Sequence, residues 1–397
     1  MVDDARKILL VAYGGGHVAM LASVWERLTE IGHNVVFLAL TTAQDYLNER
    51  GIPHIGFRDL QGSADTEVQG YGKKLLGGLS QGKVNEEESI AYLGLSYRDL
   101  VAQHGESTAE KLYAECGRQV FLPVNTLKTA LKTIKPDVVV ATNSPRAERA
   151  AILAAGELGV PSVCVVDLYP SKELEWLKIN GYAQKVCVLN SSVKDILVAH
   201  GRNSDDVVIT GNPAFDRHYS FDRYQEAARI KLDFFNKKIV VGFASNALPI
   251  IPGANRVTSD QALPREVFEK LYKRCLEKNY VLALRQHPSE VEWPEIGDAI
   301  NCKSMPIDLY LACLDMLVTF PSTIALEAKI HHLRTSVVNF SCLSQTSPYL
   351  FQGDFEVLNC IEDIDNLTVL PREAMTTASS GKTSAARNIS EVVMSVL

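Results

Sequence analysis

Four short stretches of this 397-residue sequence place chemically capable side chains where apolar runs stop. In RQHPSE, residues 285–290, an imidazole, a proline and a hydroxyl follow the apolar run 280–284. Proline removes a backbone donor and cannot continue a ladder, so Pro288 turns the chain and leaves His287 projecting from the strand end, with Ser289 beside it. In LVTFPSTIALEA, residues 317–328, a strand ends at Phe320, Pro321 breaks it, and Ser322 or Thr323 caps the following helix. The free N–H groups and positive end of such a helix bind a phosphate well, and the hydroxyls add donors. Glu327, about one turn further on, is placed to accept hydrogen bonds from sugar or ribose hydroxyls. Taken alone, an ordinary capped helix with a solvated glutamate would explain that pattern. The third stretch, ITGNPAFD at 209–216, runs a strand into a turn at Gly211 and Asn212 that lets backbone approach a ligand, although a bare connection would look the same. The fourth is small and polar, Ser245 and Asn246 after the apolar run 239–243.

These residues need a scaffold that presents strand ends, and the rest of the chain supplies one. The apolar run 7–12 is followed by Gly14, Gly15 and Gly16 and then by a helical pattern beginning near His17. Further apolar runs at 34–40, 138–141 and 162–166 alternate with helical patterns, and the alternation repeats at 207–210, 239–243, 280–284, 316–320 and 336–340. Strands apolar at nearly every position and separated by helices indicate parallel sheets covered on both faces. At this length two domains are expected. The reading is α/β, with a doubly wound Rossmann-like domain over 1–199, a second over 200–380, and an amphipathic helix at 381–397 packing back. Residues 60–125, rich in Gly, Glu, Gln and Tyr, read as a helical insertion or mobile flap, with Glu86, Glu87 and Glu88 on a solvated helix face. Open sheets of this kind bind ligands at the carboxyl ends of their strands, which is where the four stretches fall.

Composition narrows the partners. Lys plus Arg number 40 against 47 Asp plus Glu, a net charge of −7, and no long basic run occurs, so a nucleic-acid duplex is a poor partner. The eight cysteines form no CxxC and read as core residues in a reducing compartment, and no 18-residue apolar stretch is present. The expectation is a cytoplasmic protein, compatible with peripheral contact at the inner face of the membrane. None of these strand ends carries a DxD-like carboxylate pair, so metal-independent chemistry with no cofactor is expected.

The glycine loop ending in His17, the turn at 209–216, the HP pair His287 and Pro288, and the paired hydroxyls Ser322 and Thr323 together resemble the two-domain GT-B glycosyltransferases of bacterial surface polysaccharide synthesis. The resemblance spans most of residues 6–345. It is nearest to enzymes using CMP-activated acidic sugars, such as sialyl- and Kdo-transferases. It implies two Rossmann-like domains facing across a cleft, with a nucleotide-sugar donor held by the second domain. Donor contacts would fall on His287, Pro288, Ser289, Ser322, Thr323, Glu327, Ser245, Asn246, Gly211 and Asn212. CMP-sugars are the favoured donors and UDP-sugars the second class, with a glycan or glycolipid acceptor beside Gly14, Gly15 and Gly16. The acidic triplet common in sialyltransferases is missing, so the base is sought in the first half. His17, at a helix start, is the first candidate and Asp167, after the run 162–166, the second. UDP-GlcNAc 2-epimerases share the fold and the GNP-like turn, and an epimerase or hydrolase is the alternative activity. A non-catalytic nucleotide-sugar-binding subunit is the third reading.

Overall fold

In the computed structural model the chain divides into two compact units, Met1–Asp216 with Thr383–Leu397, and Arg217–Lys382. The structure describes residues 5–40, 42–77, 85–219, 221–233, 235, 238–248, 261–287, 290, 292–294, 297–346, 355–372 and 384–397.

The first unit is built on six strands, β1 (Lys7–Ala12), β2 (Asn34–Ala39), β3 (Val138–Thr142), β4 (Ser162–Val165), β5 (Lys185–Val188) and β6 (Val207–Ile209), in the order β2-β1-β3-β4-β5-β6. All neighbours are parallel. Successive side chains of a strand point to opposite faces. Leu9 and Val11 accordingly enter one core with Val139 and Ala141, while Ile8, Leu10 and Ala12 enter another with Val138 and Val140. Both faces are dry, which is why these strands read as unbroken apolar runs.

Two expectations change here. Val207–Ile209, read as opening the second domain, is the edge strand of the first sheet, so Gly211 and Asn212 belong to the first unit. The described part of residues 60–125 is helical and packed on the sheet. The helices Thr66–Leu76 and Glu86–His104 bury Val68, Ala91, Leu95 and Leu100 in the core that holds Leu9. Glu86 and Glu87 are exposed, but Glu88 is fully buried, its carboxylate accepting from the N–H groups of Phe57 (2.9 Å) and Arg58 (3.1 Å).

The helix Ala385–Ser395 packs on the first unit, with Ile389 and Val393 in the core shared by Val18 and Leu21. Asp216 fixes its start, accepting from the N–H groups of Ala385 (2.9 Å) and Ala386 (3.0 Å) and from the Ser384 hydroxyl (2.8 Å). Asn388 donates to the carbonyl of Thr210 at 3.1 Å, and a Cβ on Gly211 would lie 3.1 Å from that of Ala385. Much of the 209–216 stretch is therefore a docking seat for this helix.

The second unit carries β7 (Val240–Ala244), β8 (Val281–Arg285), β9 (Ile300–Asn301), β10 (Met316–Thr319), β11 (Arg334–Val338) and β12 (Glu356–Leu358), ordered β12-β11-β10-β7-β8-β9 and again parallel. Buried Asp315 anchors its base, accepting from Lys231 Nζ (2.5 Å) and from the N–H groups of Val240 (2.8 Å) and Arg372 (2.8 Å).

Candidate functional site

Strand order locates where ligands bind, because the crevice opens where successive connections depart in opposite directions. In the first sheet that point lies between β1 and β3, and in the second between β7 and β10. Each switch point carries its own set of polar residues.

In the first unit, Tyr13, Gly14 and Gly15 link β1 to the helix Gly16–Glu30. A Cβ on Gly14 would come 2.1 Å from Thr42 Oγ1, and Gly15, the residue capping the helix, has φ 58°. Two of the three glycines are thus required by packing and by backbone conformation. His17 is the second residue of that helix, and its Nε2 lies 3.9 Å from Asp167 Oδ2, with the side chains 26% and 32% exposed. Asn143, at the end of β3, holds Asp167 from both sides: its Nδ2 donates to Oδ1 at 2.9 Å, and its Oδ1 accepts from the Asp167 N–H at 3.1 Å. The Leu168 N–H also donates to Oδ1, at 2.7 Å, so Oδ2 is the oxygen left toward His17. Asn212 Nδ2 donates to the Asp167 carbonyl at 2.7 Å. The two residues read from sequence as competing bases therefore stand side by side, with an Asp167 oxygen 3.9 Å from the His17 ring.

Asn143 and Glu148 escaped the sequence reading. Asn143 carried a usable signal, a small polar residue after an apolar run, like Ser245 and Asn246. Glu148 lies in the first turn of the helix Ala147–Leu158 and is fully buried, with neither carboxylate oxygen hydrogen-bonded. Burial pushes its carboxyl upward, opposed by the nearby peptide N–H groups of Glu148 and Tyr13, which lie outside hydrogen-bond geometry, and by the charges of His17 and Arg146. His17 Nδ1 and Thr142 Oγ1 are likewise buried without hydrogen-bond partners. Buried polar atoms therefore cluster around this switch point.

In the second unit the turn after β8 is organised by Glu290. Its carboxylate accepts from the His287 N–H at 2.9 Å and from the Ser245 hydroxyl, and its own N–H donates to the His287 carbonyl at 3.0 Å. Ser245 Oγ also lies 3.3 Å from the His287 nitrogen, so the ends of β7 and β8 are tied together. The His287 residue is exposed, Ser245 is buried and Asn246 half-buried, while Pro288 and Ser289 lie outside the described residues. Arg285 is structural, its guanidinium donating to the carbonyls of Cys302 and Met305 beside the Tyr310 ring. Ser322 caps the helix Thr323–Ile330 in an extended conformation without a side-chain bond to it, and its hydroxyl sits 3.5 Å from Thr319 Oγ1. Thr319 in turn donates to the Ala244 carbonyl at 3.0 Å, closing the switch point between β7 and β10. Thr323 is exposed. Glu327, expected to face ribose hydroxyls, is buried.

Among the described residues, no three His, Cys, Asp or Glu side chains gather as a metal site, and no helix is long and apolar enough to cross a membrane. Six of the eight cysteines are buried, in keeping with their reading as core residues.

No family model and no curated protein sequence matches the chain. Solved structures do. The chain is similar to the UDP-GlcNAc 2-epimerase of Methanocaldococcus jannaschii, at 10% identity and a TM-score of 0.54 over 98% of this chain and 99% of that one. It is similar to the UDP-GlcNAc 2-epimerase of Neisseria meningitidis bound to UDP-GlcNAc, at 11% identity and a TM-score of 0.50 over 91% and 90%. The third is CalG4, the calicheamicin glycosyltransferase, at 13% identity and a TM-score of 0.53 over 99% and 95%. Two α/β units on six-stranded parallel sheets give this chain the GT-B-like fold of those enzymes.

Proposed function

We propose that the protein is a metal-independent glycosyltransferase that moves a sugar from a nucleotide donor to a bacterial surface glycan or glycolipid. The observation that carries the reading is the pairing of His17 with Asp167 at one switch point, together with a separate hydroxyl-bearing set at the other. A transferase needs a base for the acceptor and donors for the departing phosphate. His17 takes the proton of the acceptor hydroxyl, and Asp167 stabilises the imidazolium that results. The acceptor oxygen bonds to the anomeric carbon as the bond from that carbon to the phosphate oxygen breaks, with inversion. The nucleotide leaves with the electron pair, stabilised by the helix N-terminus after Ser322, by Thr323 and by His287. The HP pair and paired hydroxyls favour a CMP-activated acidic sugar as donor.

One further reading has specific support. A His–Asp pair at the end of β1 and β4 would equally serve proton transfer at a sugar carbon, as a UDP-GlcNAc 2-epimerase or hydrolase requires, without any acceptor. The test is release of nucleotide from CMP- and UDP-sugars with and without acceptor glycan, alongside sugar analysis after incubation with UDP-GlcNAc alone. Acceptor-dependent CMP release supports transfer. Conversion of UDP-GlcNAc without acceptor overturns it in favour of the epimerase.

A further inference from the structure

Arg146 and Arg149 flank the buried Glu148 at the end of β3. Arg146 is the residue capping the helix Ala147–Leu158, and Arg149 sits in its first turn. The Arg146 guanidinium lies over the Tyr13 ring, 5.0 Å from its centroid, and that of Arg149 over Trp176, at 4.6 Å. Tyr13 follows β1, whereas Trp176 lies in the short helix Leu174–Leu177 after β4, so the first stack joins the two sides of the switch point and the second lies on its β4 side. The Nε of each arginine is buried without a hydrogen-bond partner. Among the described residues neither makes an ion pair, whereas Arg98, Arg202 and Arg334 each have a carboxylate within 4.0 Å.

Two cations one turn apart repel, and a chain of net charge −7 has no general need of a basic patch. Their nearest acid in sequence is Glu148, fully buried, its carboxyl raised by burial against the opposing charge of Arg146, and it forms no ion pair with either arginine among the described residues. Stacking on rings fixes the planes of the guanidinium groups and leaves their N–H edges to donate, and the positive end of the helix adds to the same field. A pair of fixed forks of this kind matches an oxyanion, which can take two parallel hydrogen bonds from each.

We propose that Arg146 and Arg149 form an oxyanion-binding subsite in the first unit that recognises an acidic group on the acceptor, either a sugar carboxylate or a glycolipid phosphate. The description of that group as part of an acceptor rests on the transferase reading above; the oxyanion site itself does not.

The experiment is calorimetric titration of the full chain, without nucleotide, using N-acetylneuraminic acid, its neutral methyl ester and inorganic phosphate. The acid should bind and the ester should not. Competition by phosphate marks a site open to either source, and its absence marks a site shaped for carboxylate. Arg146→Gln and Arg149→Gln should each weaken binding by about tenfold or more, the value of losing a charged hydrogen bond. Arg149→Lys keeps the charge and loses the fork, so it should fall between wild type and Arg149→Gln even if a glutamine variant folds poorly. Equal binding of acid and ester, binding of no anion, or undiminished binding in both glutamine variants would overturn the proposal. Anion binding in a protein that transfers no sugar would sink the transferase reading and leave this site standing.

Discussion

Glu290→Ala tests whether the RQHPSE turn is a positioned nucleotide contact. The Glu290 carboxylate accepts from the His287 N–H at 2.9 Å and from the Ser245 hydroxyl, so the substitution removes the charged acceptor that sets where His287 projects. A hydrogen bond to a charged group contributes about 1.5–3 kcal/mol, and Glu290 is half-buried, so about 1–2 kcal/mol is the working figure after solvent screening. If that energy holds His287 in its binding position, nucleotide affinity falls by about 5- to 30-fold, at about 1.4 kcal/mol per factor of ten. Glu290→Gln keeps a carbonyl acceptor for the His287 N–H and should lose less. Calorimetric titration of CMP and UDP into wild type, both Glu290 variants and His287→Ala gives the comparison, with thermal unfolding to verify that the second unit stays folded. The reasoning fails if Glu290→Ala binds nucleotide like wild type while His287→Ala does not, because the imidazole would then need no fixed turn.

His17→Ala should lower turnover by about 10²- to 10⁴-fold, the usual contribution of a positioned base, while nucleotide affinity stays within error; a matching loss of affinity would place His17 on the nucleotide instead. Asp216→Ala strips three hydrogen bonds from the start of the helix Ala385–Ser395 and should cost about 1–2 kcal/mol, or roughly 2–8 °C in the melting of the first unit by calorimetry. An unchanged transition would mean the helix is held by its apolar face alone. Glu148→Gln concerns pH. The Glu148 carboxyl is raised in the fold, so wild type carries no penalty below the ordinary value of 4.5 and loses stability as pH rises from there toward the folded value. The variant should therefore gain on wild type in denaturant titrations at neutral pH and not in acid, and a difference independent of pH would count against a buried, proton-bearing Glu148.

The strands were legible because burial on both faces leaves no alternation to misread, as at Val138 and Val139, whose side chains enter opposite cores. Membership of a sheet was not. Val207 pairs with Val186 across the edge of the first sheet, and nothing in a three-residue run with Ile209 49% exposed says which sheet it will join. The glycine loop and His17 stood out through composition. The orientation of Asp167 did not, since it depends on Asn143, 24 residues away. Glu88 and Glu148 look in sequence like ordinary surface residues of helix first turns. Their burial comes from what packs over them: the backbone of Phe57 and Arg58 in one case, the β1 loop in the other. Periodicity cannot separate a carboxylate facing water from one facing a loop.

The seat that Asp216 makes for the helix Ala385–Ser395 also bears on synthesis. The first unit lacks one of its core-forming helices until residues 217–382 have all left the ribosome, so a nascent first unit presents Val18, Leu21 and their neighbours uncovered for that whole interval. Closing a loop of that length onto Asp216 has an entropic cost that grows only with the logarithm of the number of loose residues. A second unit that folds first leaves fewer loose residues in that loop and so lowers its closure cost. Slowing the second unit by mutation would then lengthen the time for which those core residues of the first unit stay uncovered, although no residue of the first unit had changed.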